Sequence, residues 1–468
     1  MATESVKYDV IVIGSGQGGN PLARQLAGRG ETVALIESGP LGGTCVNTGC
    51  TPTKAMIASA QIAHYARNAS RWGVRASSVG VDLPAILKRK DAIVEKSRSG
   101  WQKKIDQQEN WRLYRGRARF VGPKQVCVDS ETSPEILEGK RIFIDTGAAP
   151  AIPRISGLES IPYLTNVTLL DLRELPKCLL VLGGGYVGLE FGQMFRRFGG
   201  EVAIVQRAPR ILPSEDEDVT AELQRALESE GIEFHLNARA TKVERDDRNI
   251  TLSIEGANGA AKLSGSHLLV ATGRAPNTQD LDLDKAGVQI NEKGYIVVNE
   301  RLETTAPDIW ALGDVTGGPA FTHISYNDYQ IVYGNLYEDR NLSTSARIVP
   351  YAVYTDPSLG RVGLTEKAAR AQGHRLKIGT TPMSHVARAV ERGETAGFMK
   401  LVVDAATDRI LGASILSSEG GELVQILSTL MLAEKPYTLL KGAIYIHPTL
   451  AEGFFGLMDS VKPVESSL

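Results

Sequence analysis

This 468-residue sequence predicts an α/β protein built on two Rossmann-like dinucleotide-binding units. Three features point there. A glycine-rich turn lies between two apolar strand-like runs near the N-terminus. The same arrangement returns from Gly183. Between the two copies stands a pair of cysteines five positions apart in a glycine-rich setting.

In the first copy, Tyr8-Asp9-Val10-Ile11-Val12-Ile13 is the kind of run that forms a parallel strand buried on both faces. It enters Gly14-Ser15-Gly16-Gln17-Gly18-Gly19, then a helical stretch from Pro21 to Gly28, then a second strand from Thr32 to Ile36. Glu37 closes that strand 18 positions after Gly19. In a dinucleotide fingerprint the glycines permit a tight turn and bring a pyrophosphate close to a helix N-terminus, while the acid takes the ribose hydroxyls. A glycine motif alone would be weak evidence. Two flanking strands and the terminal acid complete it.

The segment Gly42-Gly43-Thr44-Cys45-Val46-Asn47-Thr48-Gly49-Cys50-Thr51-Pro52-Thr53-Lys54 carries two of only four cysteines. On a regular helix, residues i and i+5 have Cα atoms about 8.6 Å apart. A disulfide tolerates at most roughly 7 Å. The pair can therefore bridge only where the helix start is distorted, and Gly43, Asn47 and Gly49 permit distortion. A strained dithiol at a helix N-terminus suits redox chemistry, because the dipole lowers the thiolate pKa and strain makes the bond reducible. Taken alone, the segment also allows a structural disulfide or half of a metal site.

The second copy runs from Cys178-Leu179-Leu180-Val181-Leu182 through Gly183-Gly184-Gly185-Tyr186-Val187-Gly188, a helix from Leu189 to Phe198 and a strand from Val202 to Val205. Its terminal acid is missing. Gln206 and Arg207 stand there, with Arg210 close by. An acid would bond the free 2′-hydroxyl of NAD, whereas arginines favour the 2′-phosphate of NADP; solvated surface arginines are the plain alternative. Two dinucleotides in one chain suggest that one donates electrons and the other relays them.

Composition narrows the class. The net charge of −2 gives no attraction to nucleic acid or membranes. The apolar run from Val10 to Ile13 is too short for a signal peptide, and no stretch approaches the ~20 apolar residues of a membrane span. Four cysteines in so long a chain do not make a secreted disulfide framework, so a cytoplasmic location is expected. Cys127 and Cys178 sit in apolar runs and read as inert buried thiols. His64, His235, His267, His374 and His385 show no metal-ligand spacing, and no metal site is expected. Residues 465–468 read as a disordered tail.

The dithiol segment, both fingerprints and the C-terminal part together resemble the flavoprotein disulfide reductases, a family that includes dihydrolipoamide dehydrogenase, glutathione reductase and mercuric reductase. The likeness runs from about Tyr8 to about Met458, and GGTCVNTGC followed by TPTK is most similar to mercuric-reductase-like members. The resemblance implies an FAD domain over residues 1–147, an NAD(P)H domain over 148–275, a central segment over 276–345 that completes the FAD site, and an α+β dimerisation domain over 346–468. The last would include antiparallel strands from Ile348 to Tyr354 and from Gly397 to Val403.

By the same resemblance, Gly14, Gly16, Gly19 and Glu37 hold the ADP half of FAD, with Thr44 beside the cofactor and Ala118 near the adenine. Asp314, after Gly313, binds the ribityl chain. His323, which follows the Gly313-Asp314 turn, could line the flavin site or be structural. Thr146-Gly147 and Thr272-Gly273 form crossover loops. Gly183, Gly185 and Gly188 hold NADPH (NADH less favoured), with Gln206, Arg207 and Arg210 at its ribose, and Tyr186 acts as a gate. Lys54, on one helical face with Cys50, pairs with Glu190 beside the flavin. His447-Pro448-Thr449-Leu450-Ala451-Glu452 matches the HPTxxE motif, in which Glu452 orients His447, and the histidine serves the dithiol of the other subunit. The implied unit is a homodimer with a shared active site.

Electrons would pass from NADPH through FAD to Cys45–Cys50, with Cys50 facing the flavin and Cys45 the substrate. The expected acceptor is a small disulfide, a soft metal ion or a quinone. Mercuric reductases typically add an N-terminal metal-binding domain and a C-terminal cysteine pair. Here the fold begins within ten residues of Met1 and no cysteine follows Cys178, which argues against efficient Hg(II) reduction. Dihydrolipoamide dehydrogenases usually carry an acid where Gln206 stands. A flavin-based redox sensor with slow turnover is the alternative of another class, and the His447–Glu452 pair argues against it.

Overall fold

The computed structural model describes residues 5–130, 133–257 and 259–464, so the tail at 465–468 lies outside the described residues. The fold is mixed α/β and falls into two compact units. The first takes the residues through Met56, then Pro84–Ala151 and Gly273–Arg347; the second takes Ile57–Leu83, Ile152–Thr272 and the chain from Ile348 on.

The first unit is built on a seven-stranded sheet ordered Trp111–Arg115, Val33–Glu37, Val6–Ile13, Glu135–Ile144, Gln125–Asp129 and Arg117–Gly122, with Ile309–Ala311 paired in parallel to Glu135–Ile144. Strand Val6–Ile13 lies parallel to both its neighbours. Side chains alternate along it, so Ile11 and Ile13 enter one core with Ile142, Ile144, Phe120 and Ile309, while Val10 and Val12 enter another with Leu22, Leu26, Phe143 and Tyr329. Covering both faces is what makes the strand apolar at every position from Val10 to Ile13. Each such side chain contributes about 1.5–3 kcal/mol on burial. The strand starts at Val6, earlier than its apolar run, and the helix after the turn spans Gly19–Gly28, beginning inside the glycine motif.

The second unit holds a parallel sheet ordered Ile232–His235, Glu201–Val205, Cys178–Leu182 and His267–Val270, with helix Tyr186–Phe198 between its first two strands in the chain. A separate antiparallel three-stranded sheet, Ala238–Arg245, Ile250–Gly256 and Gly259–Gly265, lies in the same unit. The C-terminal part is a six-stranded antiparallel sheet that includes Pro350–Val353 and Phe398–Asp404. Leu423, Val424 and Leu427 of helix Gly420–Leu432 and Phe454 of helix Gly453–Asp459 complete its core.

Candidate active site

The first glycine turn is shaped by backbone contact. A Cβ on Gly14 would fall 2.2 Å from the carbonyl oxygen of Asp145, and one on Gly19 would fall 2.2 Å from the carbonyl oxygen of Gly14. Gly14 also has φ +103°, a left-handed backbone that favours glycine. Glu37 ends its strand with a carboxylate that accepts from Ser15 N at 2.9 Å, Ser15 Oγ at 2.6 Å and Gly39 N at 2.7 Å. Ala118 is buried in strand Arg117–Gly122 of the same sheet. Thr146 Oγ donates to the Asn277 carbonyl at 2.9 Å and Asn277 Nδ2 returns a bond to the Thr146 carbonyl at 2.8 Å. Gly147 and Gly273 flank the short paired strands Ala148–Pro150 and Arg274–Pro276. Gly313 donates its N–H to Asp328 at 2.8 Å, and burial pushes the Asp314 carboxyl up, opposed by Arg274 at 3.4 Å.

The dithiol segment is two helices. Gly43–Asn47 is a short one, Thr48 breaks it, and a new helix, Cys50–Arg67, starts at the second cysteine. A Cβ on Gly49 would fall 2.8 Å from the Thr44 carbonyl oxygen, so the close approach at the break needs glycine. Asn47 Nδ2 bonds the carbonyls of Pro40, Leu41 and Gly43 and fixes the first helix. The break supplies the distortion that five-residue spacing demands. Cys45 and Cys50 are neighbours close enough to share a proton. That sharing, then burial, pushes the Cys45 thiol far up; the Thr322 hydroxyl and Lys54 pull it the other way. Thr322 Oγ lies 3.1 Å from Cys50 Sγ and opens helix Thr322–Tyr337. Thr44 is exposed beside the pair, and Lys54 is one turn beyond Cys50 on its helix. His323 stacks on the ring of Phe321 at 5.4 Å.

The second turn repeats the first. A Cβ on Gly183 would fall 2.3 Å from the Ala271 carbonyl oxygen, and one on Gly188 would fall 2.0 Å from that of Gly183; Gly185 faces open space. Tyr186 is the first residue of its helix, and Glu190, one turn on, is buried with Oε1 accepting from Tyr354 N at 3.0 Å. Gln206 Oε1 accepts weakly from Gly184 N at 3.5 Å. Arg207 is exposed. Arg210 is half-buried, pairs loosely with Glu217 at 3.8 Å, and has a buried Nε without a hydrogen-bond partner.

His447 and Glu452 are joined by a 2.8 Å Nδ1···Oε2 bond. The imidazole is 72% exposed while the carboxylate is 15% exposed, so the pair points its ring outward. Ile444 and Ile446 beside it are 99% and 79% exposed. Of the remaining cysteines, Cys127 is buried. Cys178 is half-buried, not buried as its apolar run suggests, because it is the first residue of its strand; burial pushes its thiol up.

With this geometry in place, comparison with known proteins decides the family. The model for pyridine nucleotide-disulphide oxidoreductases matches residues 8–328, and the dimerisation-domain model of the same group matches residues 349–456. The chain belongs to that family. A probable pyridine nucleotide-disulfide oxidoreductase, RclA of Escherichia coli (strain K12), is 37% identical over 97% of this chain and 100% of its own length. A mercuric reductase of Lysinibacillus sphaericus is 35% identical over 95% of this chain and 81% of its own. A dihydrolipoyl dehydrogenase of Thermus scotoductus is 36% identical over 97% of each. A solved structure, the Cu(II) complex of the HOCl-induced flavoprotein disulfide reductase RclA from Escherichia coli, matches with a TM-score of 0.90 at 36% identity over 97% of this chain and 100% of that one. The likeness to mercuric reductases is thus matched by two other activities, and identity alone does not choose among them.

Membership makes the protein a flavoprotein oxidoreductase that uses FAD and a pyridine nucleotide, and its dimerisation domain supports a homodimer. The first turn fits a dinucleotide: its glycines let the turn close on backbone that Cβ atoms would strike, and buried Asn20 at the helix start keeps Oδ1 without a partner. Among the described residues no helix is long and apolar enough to cross a membrane.

Proposed function

We propose that the protein is an NADPH-dependent reductase of a small disulfide or a thiophilic metal ion, acting through Cys45 and Cys50. The carrying observation is the cysteine pair itself: two neighbouring sulfurs brought together by a broken helix start, in the unit that also carries the first fingerprint. Gly14, Gly16, Gly19, Glu37 and Asp314 would hold FAD; Gly183, Gly185, Gly188, Gln206, Arg207 and Arg210 would hold NADPH. When bound, FAD supplies a two-electron carrier that accepts hydride from a reduced nicotinamide and passes an electron pair to a disulfide.

The chain's own residues do the rest. The Cys45 proton is held firmly, by Cys50 first and burial second, so the thiol needs a base before it can attack. His447, oriented by Glu452 and exposed among uncovered isoleucines, is that base, supplied by a second copy of the chain. Cys45 Sγ attacks one acceptor sulfur and its proton goes to His447. The leaving acceptor thiolate takes that proton back. Cys50 then attacks Cys45 Sγ, releasing the second thiol and restoring the Cys45–Cys50 disulfide. Preference for NADPH rests on the missing acid at Gln206 and on the arginines beside it, exposed Arg207 and half-buried Arg210.

The copper(II) complex of the Escherichia coli relative supports including a metal ion among the acceptors. The test is NADPH oxidation by the purified, FAD-loaded protein with lipoamide, a panel of small disulfides, Cu(II), and Hg(II) in excess thiol. Sustained turnover on one disulfide or one metal ion names the acceptor class. Slow turnover on all of them would reject the reductase in favour of a redox sensor.

A further inference from the structure

The first glycine turn encloses a carboxyl that its counterpart lacks. Asp145 follows the apolar strand Glu135–Ile144 and is buried. Its Oδ2 accepts from Gly19 N at 2.6 Å. A Cβ on Gly16 would fall 2.7 Å from Oδ2, and one on Gly313 would fall 2.9 Å from Oδ1. The carboxyl therefore sits where both FAD motifs, the Gly14–Gly19 turn and Gly313-Asp314, close around it. In the second unit the corresponding residue is Ala271, against which Gly183 packs as Gly14 packs against Asp145.

The charged groups facing Asp145 are two further carboxyls, Asp314 and Asp328. Each is engaged by its own arginine, Arg274 at 3.4 Å and Arg347 at 2.6 Å. Burial pushes the Asp145 carboxyl well above the usual range, the Gly19 and Gly18 amides oppose this, and Asp314 and Asp328 reinforce it. A helix start with a glycine turn binds a dinucleotide because its free N–H groups favour negative charge. An ionised Asp145 would put a second negative charge beneath that turn. Like charges in a desolvated site disfavour each other strongly.

We propose that Asp145 is a positioning residue that braces the turn for FAD as the neutral acid, so that FAD binding takes up a proton and weakens as pH rises. The inference rests on assigning the first fingerprint to FAD. The test dilutes purified holoprotein and reads released flavin by fluorescence from about pH 5.5 to 9. Across the titration of Asp145 the FAD dissociation constant should rise by up to about tenfold per pH unit, the limit for one linked proton. Asp145→Asn, of the same shape but without the titration, should show a flat profile. Where that variant does not fold, wild type alone decides: FAD released into weak buffer with an indicator dye should liberate up to one proton per flavin. A flat wild-type profile, an equal slope in the variant, or no proton would overturn the proposal. Gly19→Ala separates the two claims. If it loses FAD while wild type is flat, only the proton linkage falls; if it keeps FAD in full, the site assignment falls.

Discussion

The two nucleotide turns have the same backbone and different linings. In each, the last glycine packs against the carbonyl of the first, and the first packs against a residue that follows a parallel strand. The linings part company at two places. Glu37 clamps Ser15 with short, charged bonds, while Gln206 touches Gly184 at 3.5 Å. Asp145 fills the space under Gly16, while the space at Gly185 is open. The two turns thus share a backbone and differ in the side chains that close them, which is where the proposed choice of dinucleotide would be made.

The largest expected effect attacks the shared part. Gly19→Ala and Gly188→Ala each force a Cβ to about 2 Å from a carbonyl oxygen, at a cost of about 3 kcal/mol. Gly19→Ala should lose FAD, read from the ratio of flavin to protein absorbance. Gly188→Ala should keep FAD and lose NADPH binding, read by titration. Gly185→Ala meets no protein atom, so it should fold and keep FAD, and its Cβ should weaken NADPH only by crowding the open space where the pyrophosphate would lie. Loss of FAD from Gly188→Ala would break the separation of roles.

Next comes the ribose end. Gln206→Glu combined with Arg210→Ala replaces a phosphate-suited lining with an acid. Charge-assisted bonds of about 1.5–3 kcal/mol are exchanged, so the ratio of kcat/KM for NADPH over NADH should fall by about 10²-fold. An unchanged ratio would show that Arg207 or other groups set the preference.

The third prediction moves the difference between units. Because the folded state raises the Asp145 titration, folded protein binds more protons than unfolded protein above the ordinary carboxylate range. Stability should therefore fall as pH rises from about 4 up to the folded value, by at most about 1.4 kcal/mol per pH unit. Asp145→Asn should remove that slope in thermal melts, whatever constant offset it adds. Ala271→Asp should transfer pH dependence to nicotinamide binding. Parallel melting profiles for wild type and Asp145→Asn would show that the carboxyl does not titrate in this range.

What could be read from the chain follows the same division. The glycine turns, their strands and the cysteine pair were legible because their spacing is local and their residue types are forced by sterics. Asp145 and Thr322 were not. Asp145 meets Gly19 across 126 positions and Thr322 meets Cys50 across 272, distances that no periodicity spans. A signal for Asp145 did exist: an acid closes the run Ile142-Phe143-Ile144, where Leu268-Leu269-Val270 ends in alanine. Thr322 carried none, since a threonine before a helical stretch reads as an ordinary cap. Cys178 was misjudged for a related reason, because strand composition does not say which residue sits at the strand's open end.

Thr322 gives the smallest effect and the finest test of what the first unit supplies beyond nucleotide binding. Its hydroxyl lies 3.1 Å from Cys50 Sγ and pulls the Cys45 thiol down, against the larger upward push from Cys50 and burial. Thr322→Val keeps the shape and removes the hydroxyl, so the pull is lost and the thiol should rise. A hydrogen bond to a charged sulfur is worth about 1.5 kcal/mol, which corresponds to about one pH unit. The pH midpoint for iodoacetamide alkylation of the reduced pair should move up by about that amount. At neutral pH the thiolate fraction, and with it the alkylation rate, should fall by up to about tenfold. FAD content should stay at the wild-type level, since Thr322 bonds a sulfur and neither glycine turn. A midpoint that does not move would leave Thr322 as packing at a helix start, and the thiol pair would then owe its poise to the broken helix and Lys54.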